Sequence, residues 1–487
     1  MTFLSEQQRA QIGLTYLMNM LELITPYGRE KKKKLRAYKR GEVDKLIKEL
    51  DNVEKVKDSL KHNTYIYIKI ENLFFEVKDI KHTLKRCEDL FVLDEIEFFE
   101  IKSFAILCDR LSECFIKLNL DIPSLKINSL NEVVNILDPE HKKISSFYIY
   151  EDYSEKLRII RDEKRRLEQQ IISEKNEKNI EALKQRRLDI VIEEEQEEFI
   201  IRRKLTEALR VHLDSIRENM DSVGKLDMYM AKAKLADKYN GVKPKICTDI
   251  HIEFEDIINP QLFDILTKQN KSITPISVSL NQGTSVITGA NMSGKSAAMK
   301  VILVNMILAH YGFFVFAAKA EIPVFDYIGY IAEDEQSLSS GLSSFGAEIV
   351  KLKNVMDKIK SERCFVALDE LARGTNPKEG YCLVKAVAGY LRNFETVSVI
   401  ATHYDGIVDK DMTHYQVIGL KYVDFDKIKY RIISEDKASI DILQECMDYR
   451  LELVQDNSTV PKDALNVCIC LGLDKELIDR IKEYYDR

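Results

Sequence analysis

Ser285-Val286-Ile287-Thr288-Gly289-Ala290-Asn291-Met292-Ser293-Gly294-Lys295-Ser296 is the stretch that decides the fold. Strand-forming residues run into G-x-x-x-x-G-K-[ST], and Ala297–Ala309 continues with the pattern of a helix. The glycines let the backbone wrap so that successive N–H groups and the helix N-terminus face an anion, and the helix dipole adds a favourable potential. The candidate cofactor-binding residues are therefore Gly289, Ala290, Asn291, Met292, Ser293, Gly294, Lys295 and Ser296. In this reading the cofactors are ATP and Mg²⁺, with Lys295 on the β and γ phosphates and the Ser296 hydroxyl as a metal ligand.

Two further strands end in chemistry. Cys364-Phe365-Val366-Ala367-Leu368-Asp369-Glu370 is apolar on both faces and closes on two acids. A buried strand of this kind delivers Asp369 to the carboxyl edge of a sheet, where it holds the Mg²⁺ shell, and sets Glu370 to orient or deprotonate water. Ser398-Val399-Ile400-Ala401-Thr402-His403 ends in a histidine able to polarise or sense that water. Each strand end read alone is an ordinary solvated turn. Together they make Glu370 and His403 catalytic candidates, with Ser296 and Asp369 the metal candidates.

Around this core the chain divides by composition. Residues 241–487 alternate β-branched runs with helical segments, as a mostly parallel sheet covered by helices requires. Between Pro139 and Gly224 there is neither Pro nor Gly, and residues 151–240 are densely charged with apolar seams at helical spacing. One seam is Leu157, Ile160, Leu167 and Ile171; another is Leu205, Leu209, Leu213, Ile216 and Met220. The polar break Ser173–Asn179 predicts an antiparallel hairpin. Residues 1–150 read as a mostly helical region, with Tyr65–Ile70 a short strand by its alternation and Phe74, Phe75, Phe98 and Phe99 as core residues.

The chain has 31% charged residues and a net charge of −7, which argues weakly against a protein that coats nucleic acid. The basic stretch Arg29–Arg40 reads first as a solvated helix face and second as a phosphate-binding patch. The nine cysteines are scattered and suit buried thiols in a reducing compartment. No apolar run reaches the roughly 18 residues of a membrane span, and Met1–Ala10 lacks a signal-peptide pattern, so the expected location is cytoplasmic with no membrane partner.

The motifs in this order resemble the MutS family. Thr288–Ser296 is similar to T-G-P-N-M-G-G-K-[ST], Asp369–Thr375 to D-E-[IL]-G-x-G-T, and Ala401-Thr402-His403-Tyr404 to A-T-H-Y. Asp334-Glu335-Gln336-Ser337 through Ser343-Ser344-Phe345 resembles the family's signature segment, D-E-Q-S-…-S-[ST]-F. The resemblance implies an ABC-type, MutS-like P-loop ATPase and dimerisation domain over 241–487. Ahead of it the resemblance implies an α-helical core over 1–150 and lever or coiled-coil helices over 151–240. It also implies a homodimer in which Ser343 reaches the partner's γ-phosphate in trans.

The departures matter as well. Ala290 and Ser293 stand where the family has Pro and Gly, Leu342 where mismatch-repair members often have Arg, and Ile257-Ile258-Asn259-Pro260 in place of R-H-P. No mismatch-reading domain is legible before residue 150, and no strand-containing clamp between the charged arms. The first expectation is therefore an ATPase that remodels a protein client, similar to MutS-related ATPases associated with adenosylcobalamin-dependent lysine/ornithine aminomutases. The alternative is a DNA mismatch-repair or recombination-type protein that binds mismatched or branched duplex.

Overall fold

A computed structural model describes residues 3–142, 146–290, 293–332, 344–434, 439–454 and 464–485. The chain separates into two compact units, one of residues 1–21, 35–54 and 232–487 and one of residues 22–34 and 55–231. The first thus gathers two N-terminal segments with the C-terminal half of the chain.

Among its described residues the first unit holds ten strands: β1 (Lys245–Cys247), β2 (His251–Ile257), β3 (Ile276–Asn281), β4 (Gly283–Thr288), β5 (Lys319–Pro323), β6 (Tyr327–Ile331), β7 (Cys364–Asp369), β8 (Thr396–Ala401), β9 (Thr413–Gly419) and β10 (Asp448–Leu453). They form a four-stranded sheet in the order β1-β5-β2-β3 and a six-stranded sheet in the order β10-β9-β4-β8-β7-β6. In the larger sheet β9, β4, β8, β7 and β6 run parallel, and β10 pairs antiparallel at one edge. Every residue of β4, β7 and β8 is buried, which explains why their sequences are continuous apolar or small-residue runs rather than alternating ones. By contrast, β3 buries Ile276, Val278 and Leu280 and turns its other face outward.

The helix Lys295–His310 follows β4, and its residues Val301–His310 are buried without interruption. Its polar members are satisfied internally. Asn305 donates through Nδ2 to the carbonyl of Ile258 at 3.0 Å and accepts from the Phe316 N–H at 2.8 Å. Lys232 donates to the carbonyls of Tyr311 and Gly312 just past the helix end, and pairs with Glu49 at 2.6 Å. A cation there complements the negative end of the helix dipole.

The second unit is helical among its described residues. Its longest elements include Glu95–Leu118, opened by a reciprocal cap between Asp94 and Glu97, and the helices Glu155–Ser173 and Glu177–Leu209. The last two are antiparallel, since Arg161 pairs with Glu194 while the later Glu168 pairs with the earlier Arg187. The expected hairpin and its turn are therefore present, and Leu157, Ile160 and Leu167 of the first seam are buried, as is all of the second. Inside this unit Lys102 is fully buried and donates to Asp138 and to the Tyr150 hydroxyl, both at 3.0 Å, so its charge is paired and hydrogen-bonded.

Tyr65–Ile70 is not a strand. It lies in the helix Thr64–Phe75, where Tyr67, Ile70, Leu73 and Phe74 recur at helical spacing on the buried side. Phe74 and Phe98 are core residues, whereas Phe75 is 75% exposed. In the basic stretch Lys31 pairs with Asp221, Lys34 with Glu30 and Arg36 with Glu42. Among the described residues the cysteines are free thiols, and no helix is long and apolar enough to cross a membrane.

His310 gives the first unit a pH signature. Its Nδ1 contacts the Met306 carbonyl at 2.7 Å and its Nε2 accepts from the Phe325 N–H at 2.9 Å, an arrangement that suits the neutral ring. Burial pushes its pKa down from 6.5 to about 4, against smaller opposing effects of the Met306 carbonyl and Asp326. The unfolded chain therefore takes up the extra proton, and this contribution to stability is complete above pH 6.5 and lost as pH falls toward 4. Between those limits urea unfolding of the wild type is expected to lose about 3 kcal/mol more than that of His310→Gln. Parallel pH profiles for the two proteins would remove the assignment.

Candidate functional site

The site is assembled at the carboxyl ends of β4, β7 and β8. Register brings these ends level: β8 lies between β4 and β7, the Thr402 N–H donates to Ile287 O at 3.1 Å, and the Glu370 N–H donates to Ala401 O at 2.9 Å. Beyond β4 the chain turns at Gly289, with φ +153°, and enters the helix at Gly294, with φ +101°. Both values lie in the region that favours glycine. A Cβ on Gly294 would also stand 2.6 Å from Cδ1 of Tyr449, whose ring lies against the loop from β10. Asn291 and Met292 lie outside the described residues.

Lys295 is 4% exposed, and its Nζ donates to the carbonyls of Gly289 at 3.0 Å and Ala290 at 3.1 Å. Burial lowers its pKa, with the charges of Glu370 and Asp369 acting the other way. Glu370 Oε1 stands 3.6 Å from the ammonium, and its other oxygen accepts from Arg373 at 2.9 Å. Ser296 Oγ donates to Asp369 Oδ1 at 2.9 Å. Burial raises the Asp369 pKa, opposed by the Ser296 hydroxyl and reinforced by the neighbouring Glu370 charge. His403 sits at the exposed end of β8 within electrostatic reach of the same group. Partial desolvation lowers its pKa, Glu370 raises it, and Lys295 and Arg373 lower it.

The structure thus brings together Gly289, Ala290, Ser293, Gly294, Lys295, Ser296, Asp369, Glu370 and His403. Ser343 and most of the segment Asp334–Phe345 lie outside the described residues. Three participants were not read from the sequence. Arg373 holds Glu370, Tyr449 covers Gly294, and Glu348 accepts from the Ala372 N–H at 3.1 Å. Of these only Arg373 was within reach, as a cation close to two acids in the chain.

Beside the loop opens a cavity of about 570 Å³, lined among others by Ile257, Ile258, Leu266, Ala297, Val301 and Tyr449. Ile257 and Ile258, of the segment Ile257–Pro260 that departs from the family pattern, form part of its wall. Asn259 caps the helix Pro260–Lys268 by accepting from the Gln261 and Leu262 N–H groups.

Comparison with known proteins agrees with this geometry. Residues 285–449, which include all three strand ends, match the family model described as MutS domain V. The likeness to the MutS family is thus carried by this domain. It is 26% identical over 340 residues to the DNA mismatch repair protein MutS of Fusobacterium nucleatum, covering 67% of this chain and 35% of that protein. Endonuclease MutS2 of Carboxydothermus hydrogenoformans is 28% identical over 59% of this chain and 34% of its own length. DNA mismatch repair protein MutS of Methanosarcina mazei is 32% identical over 42% of this chain and 23% of its own. The chain therefore spans about a third or less of the length of these MutS relatives.

The tight fit at Gly294 gives a test of the loop. Gly294→Ala incurs both an unfavourable φ and the contact with Tyr449, so it should lower the melting temperature. Adding Tyr449→Ala removes only the contact and should restore only part of the melting temperature. Full restoration would place the whole cost in the ring contact rather than in the backbone.

Proposed function

We propose that this protein is a MutS-family ATPase that binds and hydrolyses ATP. The observation that carries the reading is the convergence of Lys295, Ser296, Asp369, Glu370 and His403 on one strand-end cleft beside the wrapped loop. The carbonyls of Gly289 and Ala290 and the carboxylate of Glu370 hold the Lys295 ammonium, and an entering β,γ-phosphate is a stronger partner for it. The adjoining cavity, lined by Ile257, Ile258, Val301 and the Tyr449 ring together with polar Gln269 and Asn270, suits a nucleobase.

The pair Ser296 and Asp369 fits a hard divalent cation, because Mg²⁺ is usually held by one or two protein oxygens together with phosphates and waters. Once bound, Mg²⁺ would neutralise charge on the phosphates during transfer. Glu370 is then the candidate base for water, with Arg373 fixing one of its oxygens. His403, whose lowered pKa favours the neutral ring, is the candidate to accept or relay a hydrogen bond at the water.

For the client, two readings have separate support. The hairpin arms of the second unit pair many of their cations with acids of the opposite helix: Arg161 with Glu194 and Glu198, Lys164 with Glu194, Lys156 with Glu197, and Arg186 with Glu163. Cations so paired are poorly placed to exchange counterions with a duplex, which supports a protein complex as client. No observation supports the aminomutase association, and the protein client is proposed by class alone. The relatives are a DNA mismatch repair protein and an endonuclease, which supports the other reading, binding of mismatched or branched DNA. Mobility-shift titrations of mismatched, branched and plain duplex at two salt concentrations separate the two: tight binding favours the DNA reading, and none favours the protein client.

Lys295→Ala is expected to weaken ATP binding by about 10–100-fold through loss of a charge-assisted contact, with the melting curve preserved. Glu370→Gln should keep ATP binding and lower turnover by roughly 10²–10⁴-fold, the range of a lost general base. Undiminished ATP affinity in the first variant would sink the loop assignment. Wild-type turnover in the second would move the base to another residue.

Ser343 in trans and the homodimer form the last part of the proposal. A Ser343→Ala chain should bind ATP but hydrolyse it poorly, and mixing it with Lys295→Ala should recover part of the activity. The mixed dimer then contains one site with an intact loop and an intact serine from its partner. No recovery on mixing, together with a chain that stays monomeric in sedimentation with a non-hydrolysable ATP analogue, would overturn the shared site.

A further inference from the structure

Tyr330 lies on β6, at the edge of the six-stranded sheet, and is 3% exposed. Its register partner on β7 is Ala367, so Asp369 is the next residue along β7 on the same face. A side chain as long as tyrosine reaches such a diagonal neighbour. The hydroxyl accordingly comes under the influence of Asp369. Burial first, and then the charge and acceptor oxygens of Asp369, raise its pKa well above the ordinary phenol value. Yet the Tyr330 hydroxyl is buried and makes no hydrogen bond of ordinary geometry, to Asp369 or to any other group. The Asp369 carboxylate instead accepts from Ser296.

A buried hydroxyl left without a partner destabilises the state in which it is found. Phenylalanine would fill the same space at the sheet edge without that cost. The orphan donor is therefore best explained by a state of the site in which it has an acceptor. In the reading of the site given above, on which this inference rests, the Ser296 oxygen would offer a lone pair to a nucleotide-bound cation and keep its hydrogen for Asp369. Asp369 must then hold one carboxylate orientation beside the cation, and a single hydroxyl donor fixes only one of its two oxygens.

We propose that Tyr330 is a positioning residue that joins Ser296, donating its hydroxyl hydrogen to the Asp369 carboxylate when a divalent cation and nucleotide are bound. The tyrosine does not touch nucleotide. It holds Asp369 as outer hydrogen-bond partners hold metal-ligating carboxylates elsewhere, and loss of such a partner typically lowers metal affinity or activity by about 10–100-fold.

The test is Tyr330→Phe in the full chain, read by equilibrium binding of ADP across a Mg²⁺ titration and, separately, in the presence of a chelator. The expected result is a rise of about tenfold or more in the Mg²⁺ concentration at half-effect. ADP affinity in chelator and the melting temperature should not fall. A purely structural tyrosine gives the reverse pattern, a lowered melting temperature and an unchanged Mg²⁺ midpoint, and that outcome overturns the proposal. Asp369→Asn supplies the second arm. On that background Tyr330→Phe should add no further shift, and an additive shift would show that the tyrosine acts through another group. Should wild-type ADP affinity itself be indifferent to Mg²⁺, the cation reading of Ser296 and Asp369 fails, and the role of Tyr330 falls with it. That failure is visible in the wild type alone.

Discussion

The confinement of Lys295 governs the site. An ammonium withdrawn from water needs close partners, and here they are two carbonyls of its own loop and the carboxylate of Glu370. That demand sets conditions on the rest of the unit. The loop must wrap far enough to present its carbonyls, which requires the backbone angles of Gly289 and Gly294. The helix carrying Lys295 must be held rigidly, which its burial and the Asn305, His310 and Lys232 contacts accomplish. Glu370 must arrive from a strand two places away, and the level ends of β4, β8 and β7 bring it there.

Those parts were legible in the sequence where the chemistry is local. A wrapped loop needs glycine at fixed offsets, and a strand buried on both faces needs an unbroken apolar run. Gly289–Ser296 and Cys364–Glu370 therefore declare themselves in consecutive residues. The hairpin of Glu155–Ser173 and Glu177–Leu209 was equally plain, because its seams repeat at helical spacing and its turn is polar. Tyr65–Ile70 failed for a physical reason. Over six residues an alternating pattern and one face of a helix share most positions, and only the continuation through Leu73 and Phe74 distinguishes them.

Tyr449 and Tyr330 were not legible, because their importance lies in tertiary placement. Tyr449 meets Gly294 only after β10 pairs with β9, and Tyr330 meets Asp369 only through the β6–β7 register. Nothing adjacent to either tyrosine in the chain marks it. The grouping of residues 1–21 and 35–54 with the C-terminal half is of the same kind. It rests on long-range contacts such as Tyr16 to Asp264 at 2.6 Å and Asn259 to the Ile12 carbonyl at 3.1 Å, which leave no periodic trace.

The acidic pair shows how backbone strain serves geometry. Consecutive residues of an extended strand point to opposite faces, so Asp369 and Glu370 would be divided between the two sides of the sheet if β7 simply continued. Both act on Lys295, so the chain must leave the extended conformation between them. It does so with Glu370 at φ +52°, and Ala372 at φ +64° follows in the same left-handed region. Such angles cost roughly 1–2 kcal/mol for a residue with a Cβ. Around them the Glu370 N–H bonds to Ala401, the Ala372 N–H bonds to Glu348, and Arg373 grips Glu370. These bonds offset the strain, and they converge on the turn that swings the second acid into the cleft. The strained angles and the loop glycines thus have one purpose. They turn the backbone so that a cation and two acids, separated in sequence and on alternating faces, meet in a single place where an anion and a water can join them.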